Sequence, residues 1–136
     1  MNTEERQLVV DLPFERTLVS VLEAFLREGF AVDPLEAGRL QFCRFPGDML
    51  RYARIEASLP ELCFGGMPEV PRSASTCSLL ACRLSLYELN GSCTLVTAEN
   101  SLTRYPLLES LVPRVTRRIA SALRELSRVV SPSAAA

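Results

Sequence analysis

The chain has 136 residues, a formal net charge of −1, and 48% hydrophobic against 23% charged residues. That is the balance of one soluble globular domain, long enough to bury about two-thirds of its unfolded surface without a metal or disulfide staple. There is no His, no Trp and no Lys, and all 15 basic residues are Arg. Those absences exclude Ser-His-Asp and Cys-His catalysis, Schiff-base chemistry, a pyridoxal anchor and a Walker lysine. Cys, carboxylates, Tyr, Ser/Thr and Arg remain for any chemistry.

The opening Met1-Asn2-Thr3-Glu4-Glu5-Arg6 is polar and acidic, unlike the basic start and apolar run of a secretory signal. No stretch approaches the ~18 apolar residues of a membrane span. The expectation is a cytoplasmic protein with no membrane partner. Gln7–Leu12 is a short apolar run and reads as a strand. From Phe14 to Glu28 the apolar residues Phe14, Leu18, Val21, Leu22, Phe25 and Leu26 keep helical spacing. Pro13 suits the start of that helix, Glu15 the positive end of its dipole, and Gly29 a left-handed C-cap. Phe30-Ala31-Val32 is a second strand.

Asp33 to Ser78 is rich in Pro and Gly and weakly periodic. Within it Arg51–Ala57 reads as a strand, with Tyr52 and Arg54 on one face and Ala53 and Ile55 on the other. A short helix is expected near Pro60–Cys63, and Phe64-Gly65-Gly66-Met67-Pro68 is a turn, with nothing Walker-like after it. Leu79–Leu89 and Ser92–Ala98 flank Asn90-Gly91, the signature of a type I′ hairpin. Two-residue closure pairs Leu89 with Ser92, Leu86 with Leu95 and Leu84 with Thr97. This register puts Cys82, Leu84, Leu86, Cys93 and Leu95 on the core face, and Arg83, Ser85, Tyr87, Thr94 and Val96 on the other. A helix over Leu107–Val129 closes the chain, with Pro113 near its start and Ser110 as its cap. Its apolar stripe is Val115, Ile119, Ala122, Leu123, Leu126 and Val130. Ser131 to Ala136 reads as a frayed tail.

Five cysteines, Cys43, Cys63, Cys77, Cys82 and Cys93, contain no Cys-x-x-Cys and match no zinc template. No metal and no cofactor is expected, and most of these thiols read as small buried hydrophobes in a reducing compartment. Arg114, Arg117, Arg118, Arg124 and Arg128 project from the polar side of the last helix. They are candidates for an anionic partner, set against the plainer reading of a solvated helix face. Net charge, a sequence pI near 5.6 and the lack of interleaved aromatics argue against nucleic acid, whose affinity rests on a net basic surface.

The motif Leu12-Pro13-Phe14 entering the first helix and Arg27-Glu28-Gly29-Phe30-Ala31-Val32 leaving it, followed by Leu79–Glu88 and Gly91, resembles the bacterial domain-of-unknown-function 302 family (DUF302) over about residues 6–128. The family's Gly-Ala-Cys-Asn-Pro is matched by Glu56-Ala57-Ser58-Leu59-Pro60, so Ser58 stands where the family has a cysteine. The resemblance implies a TBP-like β-α-β4-α fold and a homodimer, with no established reaction. The expected fold class is α+β, an antiparallel sheet with two helices packed on one face, in a single domain with its ordered core at about 6–130. Two functions from different classes follow. One is a non-catalytic module that holds a small apolar or anionic ligand through Tyr52, Cys82, Leu84 and Tyr87, or acts through a dimer surface that includes Tyr87, Val96 and Ala98. The alternative is a thiol-dependent activity at Cys82 or Cys63, which would need a cationic environment to lower the thiol pKa.

Overall fold

The computed structural model describes residues 5–41, 49–60 and 79–130. Cys43, Cys63, Cys77, the turn at Phe64–Pro68 and the tail beyond residue 130 lie outside them. Of the short helix expected near Pro60–Cys63, only Pro60 is described, as part of a 3-10 turn.

The element order is β1 (Glu5–Val10), α1 (Phe14–Arg27), β2 (Ala31–Gln41), β3 (Met49–Leu59), β4 (Leu79–Asn90), β5 (Cys93–Asn100), two 3-10 turns (Ser101–Arg104 and Pro106–Leu111) and α2 (Val112–Val130). All strands pair antiparallel in one sheet of order β1-β5-β4-β3-β2. This is the β-α-β4-α order, an α+β fold.

α1 begins after Pro13, whose carbonyl accepts from the Thr17 amide at 2.9 Å. It ends as its sequence requires. Gly29 has φ +91°, its amide donates to the Leu26 carbonyl at 3.1 Å, and the Phe30 amide donates to the Phe25 carbonyl at 3.1 Å. These are the two bonds of a Schellman cap, and the Phe25 and Phe30 rings supply its hydrophobic contact with centroids 5.2 Å apart. A side chain at Gly29 would be doubly opposed, because a Cβ there would lie 3.0 Å from Arg118 Nη1 as well as in the left-handed region. Arg118 and Ser121 of α2 fasten the same corner. The Arg118 guanidinium donates to the Glu28 carbonyl at 2.9 Å, and the Ser121 hydroxyl donates to the Glu28 carboxylate at 2.8 Å.

The core lies between one sheet face and the two helices. Val10, Ala53, Ile55, Ala57, Cys82, Leu84, Leu86, Val96 and Ala98 supply the sheet side. Phe14, Val21, Ala24 and Phe25 of α1 and the stripe Val115, Ile119, Ala122, Leu123 and Leu126 of α2 close over it. Among the described elements none packs on the opposite face of the sheet.

Three expectations are corrected. β2 runs to Gln41 rather than stopping at Val32. Pro34 does not end it because β2 is an edge strand with a bulge between Pro34 and Glu36, the setting in which a missing amide hydrogen costs no ladder bond. The hairpin register is also different: Leu86 faces Val96, Leu84 faces Ala98, and Asn90 pairs with Cys93 across a break after Glu88. Gly91-Ser92 forms the turn, with the Asn90 side chain accepting from the Ser92 amide at 2.8 Å. Gly29 is the one glycine among the described residues with positive φ, so the turn is not type I′. The slip by one residue turns β5 over. Thr94, Val96 and Ala98 face the core, while Cys93 and Leu95 do not. Finally, α2 starts at Val112 with Pro113 in its first turn. Ser110 lies inside the second 3-10 turn and does not cap the helix.

The flipped β5 is held by its buried polar residues. The Thr94 hydroxyl donates to the Leu12 carbonyl at 3.1 Å, beside the Thr17 hydroxyl at 3.2 Å. Asn100, 1% exposed, accepts from the Leu102 amide at 3.0 Å and donates to the Val112 carbonyl at 3.1 Å and the Thr116 hydroxyl at 3.0 Å. It joins β5, the first 3-10 turn and α2 through one amide, so a buried polar group is fully used.

Candidate functional site

The open sheet face is built by alternation along β3, β4 and β5, and the register aligns its side chains in rows. Tyr52, Tyr87, Leu95 and Val9 form one row, Arg54, Ser85, Thr97 and Gln7 the next, and Glu56, Arg83 and Glu99 a third. The first row is largely apolar, and Val9 is 56% exposed. The Tyr52 hydroxyl donates to Glu36 at 2.7 Å. That bond to the carboxylate is the main reason the Tyr52 pKa is raised. Gly38 makes room for the ring, since a Cβ there would lie 3.1 Å from Tyr52 Cε1.

The second and third rows border a depression of about 390 Å³. Arg54, Glu56, Arg83, Ser85, Thr97 and Glu99 line it, and Leu35, at the β2 bulge, stands at its side. Its charges are unevenly matched. Arg54 reaches Glu36 at only 3.9 Å, whereas Arg104 pairs with Glu99 at 3.1 Å. Arg83 faces Glu56 on one side and Glu99 on the other, yet among the described residues it closes an ion pair with neither. A guanidinium, two hydroxyls and a carboxylate are therefore presented together in a polar hollow.

The four residues expected to bind a ligand divide between the two faces. Tyr52 and Tyr87 are brought together as register partners on the open face. Cys82 and Leu84 are on the core face, 0% and 1% exposed, among the packed side chains beneath the helices, although Leu84 also borders the hollow. Val96 and Ala98, expected beside Tyr87 on a dimer surface, are also in the core. Leu35 is not legible in the sequence, because the bulge that exposes it has no local signature, and neither is Thr97, because of the register slip. Arg83, Ser85 and Arg54 were legible as outward-facing from alternation alone.

Of the five thiols, Cys82 and Cys93 lie within the described residues. Burial drives the Cys82 pKa well above its ordinary value of 9.0, the reverse of what a nucleophilic thiolate needs. Cys93 is half-buried, with its sulfur 3.4 Å from an Asp11 carboxylate oxygen. Cys63 lies outside the described residues. Among the described residues no three Cys, Asp or Glu side chains come together as metal ligands. No described helix is long and apolar enough to cross a membrane.

The five arginines of α2 differ in their setting. Arg118 is turned onto the end of α1, and Arg124 borders a shallow groove with Arg6 beside β1. Arg114, Arg117 and Arg128 are exposed.

An antiparallel five-stranded sheet with two helices on one side and a polar hollow on the other defines an α+β protein of the β-α-β4-α kind. Its similarity to known structures agrees. The chain is similar to an uncharacterised conserved DUF302 protein of Bacillus stearothermophilus, with a TM-score of 0.61 at 18% identity over 91% of this chain and 98% of that one. It therefore has the fold of a DUF302 protein, as its motifs imply. Weaker similarities are to a Thermus thermophilus protein (TM-score 0.33, 14% identity, 95% of this chain and 97% of that one), and to the Zhui aromatase/cyclase of a Streptomyces species (TM-score 0.30, 14% identity, 91% and 92%). Neither shares enough geometry to bear on the fold. No family model and no curated protein matches the chain.

Proposed function

We infer that the protein is a non-catalytic binding module whose working surface is the open face of its sheet. The observation that carries this reading is the hollow itself. It is a depression of about 390 Å³ lined by Arg83, Arg54, Ser85, Thr97 and Glu56, on the one sheet face that no described element covers. Ligand sites combine a concave surface with a few convergent polar groups, and both occur here on the uncovered face of the sheet. No nucleophile with an activating partner accompanies them among the described residues, which weighs against an enzyme. A homodimer through the same face is the second reading, favoured by the apolar row Tyr52, Tyr87, Leu95 and Val9.

Native mass spectrometry of the protein purified gently from its own cells tests both. A small additional mass that is lost on denaturation is expected for the binding module. A doubled mass at micromolar concentration is expected for the dimer. A bare monomer would contradict both readings.

A further inference from the structure

We propose that the hollow on the open sheet face takes a small zwitterion, an α-amino acid with an apolar side chain. This rests on the reading of that face as a ligand site and specifies its ligand. Arg83 is the anchor. It is half-buried, and in register with two carboxylates to which it makes no ion pair. Arg104 has already engaged Glu99 at 3.1 Å. The planar fork of an arginine matches a carboxylate with two parallel bonds, and the Arg83 fork is left with donors to give. Arg54 lies on the diagonal from Arg83, and its reach to Glu36 is long at 3.9 Å. The Ser85 and Thr97 hydroxyls stand in the neighbouring row and offer further donors to the same anionic group.

Charge decides against a simple anion. Glu56 stands beside Arg83 on β3 without an ion-pair partner among the described residues, and Glu99 flanks the other side. The Glu56 carboxylate next to the anchor repels a phosphate or a dicarboxylate, whose charge is concentrated and multiple. A ligand that places one carboxylate on Arg83 and an ammonium against Glu56 satisfies both signs at once. Leu35, 54% exposed at the β2 bulge, supplies apolar surface for the ligand's side chain. The hollow is open on one side, so the affinity is modest, since only part of a small ligand is buried.

The test is a nitrogen-15 NMR titration of the full chain with L-leucine, L-methionine and L-phenylalanine. Two analogues of leucine run beside them, 4-methylpentanoate without the ammonium and 3-methylbutylamine without the carboxylate. At least one of the amino acids should shift the amides around Arg83, Ser85 and Thr97 saturably. Both leucine analogues should bind at least about tenfold more weakly than L-leucine where L-leucine binds, as expected when a half-buried charge loses its partner. Arg83→Met and Glu56→Gln should each weaken the amino acid by a similar factor, with the rest of the spectrum unchanged as the check on folding. Equal binding of 4-methylpentanoate would overturn the zwitterion and leave an anion site. Saturation by none of the three amino acids, in a protein that leaves its cells carrying some other small molecule, would overturn the proposal while the binding reading stands. If neither titration nor native mass finds a ligand, both fall together.

Discussion

Cys82 shows how burial sets the chemistry of one position. It lies in the middle of β4 opposite Ala57 and Asn100, fully buried, and the low-dielectric surroundings keep it as a thiol. The consequence is a dependence of stability on alkaline pH. A pKa raised in the folded state means that the unfolded chain gives up its proton first. The contribution is therefore complete below the ordinary value of 9.0 and is lost as pH rises above it. A single such group tilts stability by up to about 1.4 kcal/mol per pH unit. Urea unfolding between pH 9 and 11 should show a steeper loss for the natural protein than for Cys82→Ala, which keeps every other titrating group. Equal slopes would show that Cys82 ionises freely in the folded state. Residue-level reading from sequence served well where backbone chemistry is strict: Pro13 and Gly29 mark the two ends of α1 because one lacks an amide hydrogen and the other tolerates positive φ. It failed at Ser110, because a hydroxyl in the right place cannot reveal that the preceding segment coils into 3-10 turns before the helix proper.

At the scale of elements, the β4–β5 hairpin is the instructive case. Along Thr94-Leu95-Val96-Thr97-Ala98 both alternate faces carry apolar residues, so periodicity does not choose between registers. Leu86 can face Leu95 or Val96. Tertiary contacts make the choice, through Thr94 on the Leu12 carbonyl at one end and Asn100 between the first 3-10 turn and α2 at the other. The extra residue that makes this possible is Leu89, left out of the ladder between Glu88 and Asn90 and 44% exposed. The register is tested by paired truncations. Val96→Ala should cost roughly 2 kcal/mol of unfolding free energy as a buried large-to-small change. Leu95→Ala, on the open face, should cost less than about 1 kcal/mol. The opposite order in chemical denaturation would restore the register in which Leu86 faces Leu95. β2 was hidden for a related reason, since Pro34 signals the end of a strand in isolation and is harmless only because the chain places it at a bulged edge.

For the whole molecule, packing both helices on one side of the sheet places the core there and leaves the other sheet face without a covering element among the described residues. That segregation was legible early. The outward placement of Tyr52, Arg54, Arg83, Ser85 and Tyr87 follows from alternation along two strands. The hollow was not legible, because it depends on which residues of three strands stand opposite one another and on the bulge that brings Leu35 to its side. Of the five arginines of α2, Arg118 closes a corner of the fold, and Arg114, Arg117, Arg124 and Arg128 are exposed on the helix. The central claim is that the open face, not the helix layer and not a thiol, is where this protein meets its ligand. The most direct measurement is a nitrogen-15 NMR spectrum recorded before and after adding a protein-free small-molecule extract of the protein's own cells. Shifts clustered at Arg54, Arg83, Ser85 and Thr97 are the predicted result. Shifts confined to α1 and α2, or a spectrum that does not change, would contradict it.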